Sequence, residues 1–235
     1  MFNNPPLFFW TSTLPCPYLK GRRERRIVAE LGNSHAEQLH DELSEVGFRR
    51  SHGVVYKPAC PNCRECIPVR IVLSDFLFSR SQKRVWTKNN DLIAEILPPV
   101  ASEEQFKLFS KYQLERHPFG DMSRMSLLDY QSMIEETPIK TLLVEFRDQN
   151  NSLTACLLLD QISNGVSAVY SFYNPEIKDR SLGKFMILWL IKFAREQMKS
   201  FVYLGFWVKG SDKMNYKTNF KPLEYFTSNG WVKEK

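Results

Sequence analysis

The sequence predicts an α+β fold in two units, a small cysteine-containing unit over residues 1–97 and a larger one over residues 98–235. Three observations predict it. Short β-branched runs flank a cysteine loop in the first unit, and from Lys140 the apolar period changes from helical to strand-like. A helix with a wide apolar face then follows Ser181 and leads into one more strand. A composition of 43% hydrophobic and 25% charged residues is that of an ordinary globular chain able to bury a sizeable core.

A formal net charge of +6 favours phosphate-rich partners, because a summed positive field raises their association rate and affinity. No run reaches the roughly 18 apolar residues of a membrane-spanning helix, and Leu7-Phe8-Phe9-Trp10 is too short for a signal peptide. The expectation is a cytoplasmic protein without a membrane partner. In a reducing compartment its five cysteines read as ligands or core residues rather than disulfides.

Residues 2–18 are proline-rich and aperiodic, an extended arm that carries Cys16. Lys20, Arg22, Arg23, Arg25 and Arg26 follow, a run that either forms a solvated face or contacts phosphate. Ser34 and Glu37 have capping-box spacing, Leu39, Leu43 and Val46 continue at helical spacing, and Gly47 supplies a stop. A helix over 35–46 is predicted, with short strands at 54–56 and 69–73 around the cysteines. Pro98-Pro99 marks the division between the units. Ser102 and Gln105 repeat the capping box ahead of Phe106, Phe109 and Tyr112, and His117-Pro118 ends that helix. A shorter helix is predicted over 126–134. Residues 141–146, 153–162 and 166–173 read as an antiparallel meander with Asn164-Gly165 at one turn. Ser181 caps the apolar helix, and a strand over 201–207 lies parallel to its predecessor if the crossover is right-handed. This meander, helix and added strand resemble the acyl-transfer fold of the Gcn5-related N-acetyltransferases.

Four places carry candidate chemistry. Cys60, Cys63 and Cys66 have the spacing of zinc or iron-sulfur ligands, with Cys16 the candidate fourth ligand and His52 the runner-up. Unliganded thiols in a turn are the bland alternative, and Cys156, in an apolar run, reads as a core residue. Arg180, Ser181, Gly183 and Lys184 open a helix directly after a strand, where free N–H groups and the dipole favour an anion. Coenzyme A pyrophosphate or a nucleic-acid phosphate would fit there, although the glycine loop of the acetyltransferases is incomplete. Tyr173 stands at a strand end, and Met214-Asn215-Tyr216-Lys217 brings an amide, a phenol and an ammonium to the end of another. No Ser-His-Asp or Cys-His arrangement stands out.

Taken together, the residues closely resemble the bacterial aspartate/glutamate leucyltransferases, short relatives of the eukaryotic arginyl-tRNA-protein transferases. The resemblance runs through Pro15-Cys16-Pro17-Tyr18-Leu19, Gly47-Phe48-Arg49-Arg50-Ser51, Tyr56-Lys57-Pro58, the cysteine loop with Pro68-Val69-Arg70, and Ser79 to Arg84. It continues in Arg116-His117, Gly120 and Met122, Ser181-Leu182-Gly183, Tyr203-Leu204-Gly205 and Met214 to Lys217. It implies transfer of leucine from leucyl-tRNA to the N-terminal amine of a protein beginning with Asp or Glu, marking it for degradation. Arginine as the transferred residue, an acetyl-CoA-dependent N-acetyltransferase and a metal-stabilised nucleic-acid-binding protein are the alternatives. An aminoacyl ester is already activated, so no cofactor is needed for the chemistry, and a zinc ion or iron-sulfur cluster on Cys16, Cys60, Cys63 and Cys66 would be structural. On this reading the 22–26 run with Arg80, Lys83 and Arg84 grips tRNA, and Arg180, Ser181 and Lys184 meet its 3′ end. Arg49 or Arg50 pairs with the acceptor's acidic side chain. Tyr173, Asn215, Tyr216 and Lys217 orient the amine and the oxyanion. No stable DNA partner is expected.

Overall fold

Strand pairing runs across the proline pair at Pro98-Pro99, joining strands on either side of it in one sheet. The computed structural model describes residues 6–32 and 34–233, so the start of the expected arm lies outside the described residues. Its remainder forms β1 (Phe8–Trp10) and a short ladder of β2 (Leu14–Pro15) with β3 (Arg23–Glu24). β4 (Arg26–Glu30), α1 (Ala36–Glu45), β5 (Arg49–Ser51) and β6 (Val54–Pro58) follow. The result is an antiparallel sheet in the order β1-β4-β6-β5. The Ser34–Glu37 capping box is not formed. α1 starts from His35 with no side-chain cap, and Gly47 ends it at φ +85, where a Cβ would lie 2.7 Å from the Pro68 ring.

The chain then crosses into the large sheet with β7 (Cys66–Val72), before the proline pair. α2 (Arg80–Lys88) and β8 (Ile93–Leu97) follow, then α3 (Glu103–Arg116), α4 (Leu127–Glu135) and the meander β9 (Thr141–Arg147), β10 (Leu153–Ile162) and β11 (Gly165–Tyr173). α5 (Leu182–Glu196), β12 (Phe201–Val208), β13 (Leu223–Thr227) and β14 (Gly230–Lys233) complete it. The strand order is β14-β13-β7-β12-β11-β10-β9-β8, with β12 parallel to β11 as expected of a strand-helix-strand crossover. β7 and β8 therefore belong to the large sheet, although the sequence places them in the first unit. The reason is pairing: β7 fills the slot between β12 and β13, a long-range partnership that local proline punctuation does not encode.

Alternation along the central strands supplies a core on each face. Val144, Leu157 and Leu159 meet α5 through Phe185, Leu188 and Ile191, whereas Leu143, Cys156, Leu158 and Phe172 meet α3 and α4 through Phe109, Tyr130 and Ile134. Cys156 is the fully buried core residue expected. α3 and α4 begin with complete capping boxes at Ser102–Gln105 and Ser126–Asp129. The small sheet and α1 keep a third cluster around Ala29, Leu31, Leu39 and Val55. Two adjacent arginines of β5 tie that sheet to the large one.

Candidate active site

The large sheet opens at its centre. β11 and β12 pair only from Gly165–Phe201 to Ser167–Tyr203, yet β11 continues to Tyr173 and β12 to Val208, so their C-terminal halves diverge. A bulge at Leu158/Leu159 bends the neighbouring ladder, and a second at Tyr203/Gly205 bends β12 against β7. The Arg49 side chain lies across the opening. Its Nη2 donates to the carbonyls of Ala168 (2.7 Å) and Val169 (3.0 Å) on β11, and its Nη1 reaches Leu204 O on β12 at 3.5 Å.

Several residues assigned by sequence to substrates are held by the protein itself. Arg50, next in chain order, points away from Arg49. Its guanidinium is bidentate on Asp160, with Nε to Oδ2 at 2.8 Å and Nη2 to Oδ1 at 2.7 Å, and the two side chains are 1% and 0% exposed. It cannot also meet an acceptor carboxylate. Arg180 donates from Nε to Asn89 Oδ1 at 2.9 Å and from Nη2 to Lys88 O and the Asp91 carboxylate, which joins the end of α2 to the start of α5. It is a structural clasp, not a free phosphate ligand. Lys217 is 3% exposed, and its ammonium donates to Phe206 O at 2.6 Å. Burial, with the Arg49 charge beside it, holds that ammonium well below its ordinary pKa. Lys217 latches the 3-10 turn Asp212–Asn219 onto β12 and is too buried to touch an amine in the opening.

Other predicted residues reach the mouth. Tyr173 ends β11 and packs beside Gly183, where an added Cβ would sit 3.3 Å from its ring. Its ring centroid is 4.9 Å from that of Tyr112 on α3, and Tyr112 is 5.8 Å from His117. Desolvation raises the Tyr216 phenol, with the Arg49 charge opposing it and Tyr173 adding to it. Asn215 is exposed and bonded only weakly, at 3.4 Å, to Asp212. Ser181 starts α5 in the left-handed region at φ 52, with its side chain exposed and making no capping bond, and Lys184 is exposed one turn on. Tyr112, Arg116 and Lys213 were not singled out by sequence as site residues. Tyr112 reads as part of an apolar helix face, and only its place three residues beyond the buried Phe109, against Tyr173 at a strand end, brings it to the opening. Burial first, then Lys213 and Arg116, push the His117 imidazole below its usual pKa, so those two cations stand close to it. The site thus offers phenols, an amide and positive charge, groups that hold and polarise rather than attack.

Two family descriptions cover most of this architecture. "Arginine-tRNA-protein transferase, N terminus" matches residues 14–84, and "Arginine-tRNA-protein transferase, C terminus" matches residues 104–227. The aspartate/glutamate leucyltransferase of Paramagnetospirillum magneticum is 52% identical over 97% of this chain and 93% of its own length. The chain belongs to the arginine-tRNA-protein transferase family. The leucyltransferase of Rhodospirillum rubrum is 46% identical over 98% of this chain and 94% of its own. Among solved structures, FemX overlaps at a TM-score of 0.46 and 11% identity, over 78% of this chain and 63% of that one.

In this transferase the N-terminal match spans the cysteines. Cys16, Cys60, Cys63 and Cys66 carry no disulfide, and the last is raised to about 12 by burial and then by the other three thiols, which therefore lie around it. The Leu19 N–H donates to Cys16 Sγ at 3.4 Å, the Arg25 N–H to Cys60 Sγ at 3.4 Å and Arg22 Nη1 to Cys63 Sγ at 3.2 Å. Among the described residues, however, no group of three or more His, Cys, Asp or Glu is arranged to hold a metal ion. His52 is not part of the cluster; its ring bonds to Ser51 Oγ on the β5–β6 turn. The same transferase exposes Arg80, Lys83 and Arg84 on α2, which packs on α5. Among the described residues, no helix is long and apolar enough to cross a membrane.

Proposed function

We propose that this transferase moves leucine from leucyl-tRNA to the α-amine of proteins beginning with Asp or Glu, marking them for degradation in the cytoplasm. One observation carries the reading, the 52% identity to an aspartate/glutamate leucyltransferase over nearly the whole of both chains. The site chemistry supports it. The ester bond to the tRNA ribose is already activated, so the protein has to align amine and carbonyl and stabilise the tetrahedral oxyanion. An α-amine titrates at about 7.7–8.0, and a large neutral fraction exists without a strong base.

The aminoacyl end enters the opening between β11 and β12, with the tRNA 3′ phosphates at Ser181, Lys184 and the start of α5. The exposed Arg80, Lys83, Arg84, Lys20, Arg22 and Arg23 hold the tRNA backbone. Tyr173 and Tyr216 orient the amine and donate to the oxyanion, with Asn215 beside them. With Arg50 committed to Asp160, the acceptor's carboxylate is met by Arg116 and Lys213, which have no ion-pair partner among the described residues. A structural zinc ion or iron-sulfur cluster on Cys16, Cys60, Cys63 and Cys66, taking no part in the transfer, would require the four thiols to draw closer together, and elemental analysis of anaerobically purified protein tests for it. A donor assay tests the function. With an Asp-starting peptide, labelled leucyl-tRNA should transfer its leucine while arginyl-tRNA and acetyl-CoA do not; transfer from arginyl-tRNA alone would instead support the second reading, which the family descriptions favour.

A further inference from the structure

Arg49 comes from the small sheet, yet every hydrogen bond of its guanidinium lies in the large one. We infer that Arg49 is a positioning residue, a wedge that holds β11 and β12 apart at the width the aminoacyl end needs, and not the reader of the acceptor's acidic side chain. This rests on the reading that transfer takes place in that opening.

Three independent features fit a built wedge. First, the β11–β12 ladder stops at Ser167–Tyr203, and Arg49 takes the next carbonyls on each strand, Ala168 and Val169 on one side and Leu204 on the other. A planar guanidinium with five donors can bridge carbonyls of two strands that are too far apart to pair with each other. Second, the opposite wall is shaped around it. Gly205 adopts φ +73, and a Cβ there would lie 1.7 Å from Arg49 Nη1, so only glycine leaves room for the side chain. Third, the next residue fixes the lever: Arg50 anchors β5 to Asp160 of β10, so Arg49 cannot withdraw without moving that strand. The carbonyls Arg49 occupies belong to a strand edge that would otherwise accept an extended, amide-bearing arm such as pantetheine, so the wedge also disfavours an acyl-CoA donor in this place. Its charge also acts on Tyr18, Tyr216 and the buried Lys217, so the guanidinium stands close to all three.

The wedge and a carboxylate reader differ in steady-state kinetics. For Arg49→Ala with leucyl-tRNA, the wedge predicts a fall in kcat of about tenfold or more, a KM for the Asp-starting peptide within about threefold of wild type, and an unchanged preference for Asp- over Asn-starting peptide. Added ethylguanidinium should restore part of the lost kcat in a saturable way. Loss of the Asp-over-Asn preference with a large rise in KM, or unchanged kinetics, overturns the wedge. Arg49→Lys, which keeps the charge but cannot bridge the three carbonyls, should show the same kcat defect and covers the case in which the alanine variant does not fold. A readout free of catalysis separates this inference from the transfer reading. Ethylguanidinium should raise the Tm of Arg49→Ala by several degrees and leave wild type unmoved, and equal shifts in both proteins count against a guanidinium-shaped vacancy. Absence of leucyl transfer by wild type would sink the transfer reading while leaving the melting comparison to decide whether Arg49 spans the strands.

Discussion

Arg50 and Asp160 form a buried pair at the junction of β5 with the large sheet, backed by Thr141 Oγ1, which donates to Asp160 Oδ1 at 2.8 Å. Removing one partner leaves a buried charge without compensation. Arg50→Ala should therefore lower unfolding stability by about 3–5 kcal/mol, measured by urea denaturation. His40 lies against the same carboxylate, with Nε2 3.7 Å from Oδ2. Burial lowers its pKa below the ordinary 6.5, opposed by Asp160 and Asp41 and aided by Arg50. The unfolded chain then takes up a proton at a higher pH than the folded one. Stability should be flat above the unfolded value near 6.5 and fall as pH drops from there towards the depressed folded value. His40→Gln should remove this part of the slope, as read from urea midpoints across that range. At this scale the sequence was legible in residue type and silent in partnership. Two consecutive arginines were visible as functional candidates, but Asp160 stands 110 positions from Arg50, and nothing local says that it neutralises one of them.

Local signals carried the elements well. The Ser102–Gln105 capping box predicted from spacing is formed, with the Gln105 N–H donating to Ser102 Oγ at 3.2 Å, and Gln105 Nε2 continues to Glu145 at 2.7 Å. Ser102→Ala should cost about 1 kcal/mol in thermal or urea unfolding, the usual worth of an N-cap, with α3 and Tyr112 still in place. The meander, α5 and the parallel β12 were also legible, because their period and turn residues are local. α2 is not marked by an apolar period, since Val85 and Trp86 are its only apolar residues, even though Ser79 and Gln82 have the same spacing and form the same box. The β13–β14 hairpin was missed as well, although Asn229-Gly230 is a turn signal there. Capping at α1 failed for another reason: the N-cap position falls on His35, one residue past Ser34, and no side-chain capping bond forms there.

For the whole molecule, β7 lies ahead of the proline pair yet is drawn into the large sheet by β12 and β13, a pairing that only the folded chain reveals. The outcome sets cationic faces on two bodies, the arm with Arg22 and Arg23, and α2 beside α5. If both hold one tRNA, its affinity should weaken with salt, and replacing Arg80, Lys83 and Arg84 together with alanine should reduce the slope of log K against log salt by about 2–3, as measured by filter binding. The central claim is that the opening between β11 and β12 joins an aminoacyl ester to an acidic N-terminus. Mass spectrometry of an Asp-starting peptide incubated with the protein and leucyl-tRNA tests it most directly. A leucyl residue on the α-amine of Asp- and Glu-starting peptides, and none on an Asn-starting or N-acetylated one, is the predicted result; no leucyl product on either acidic peptide, or equal modification of all four, would contradict it.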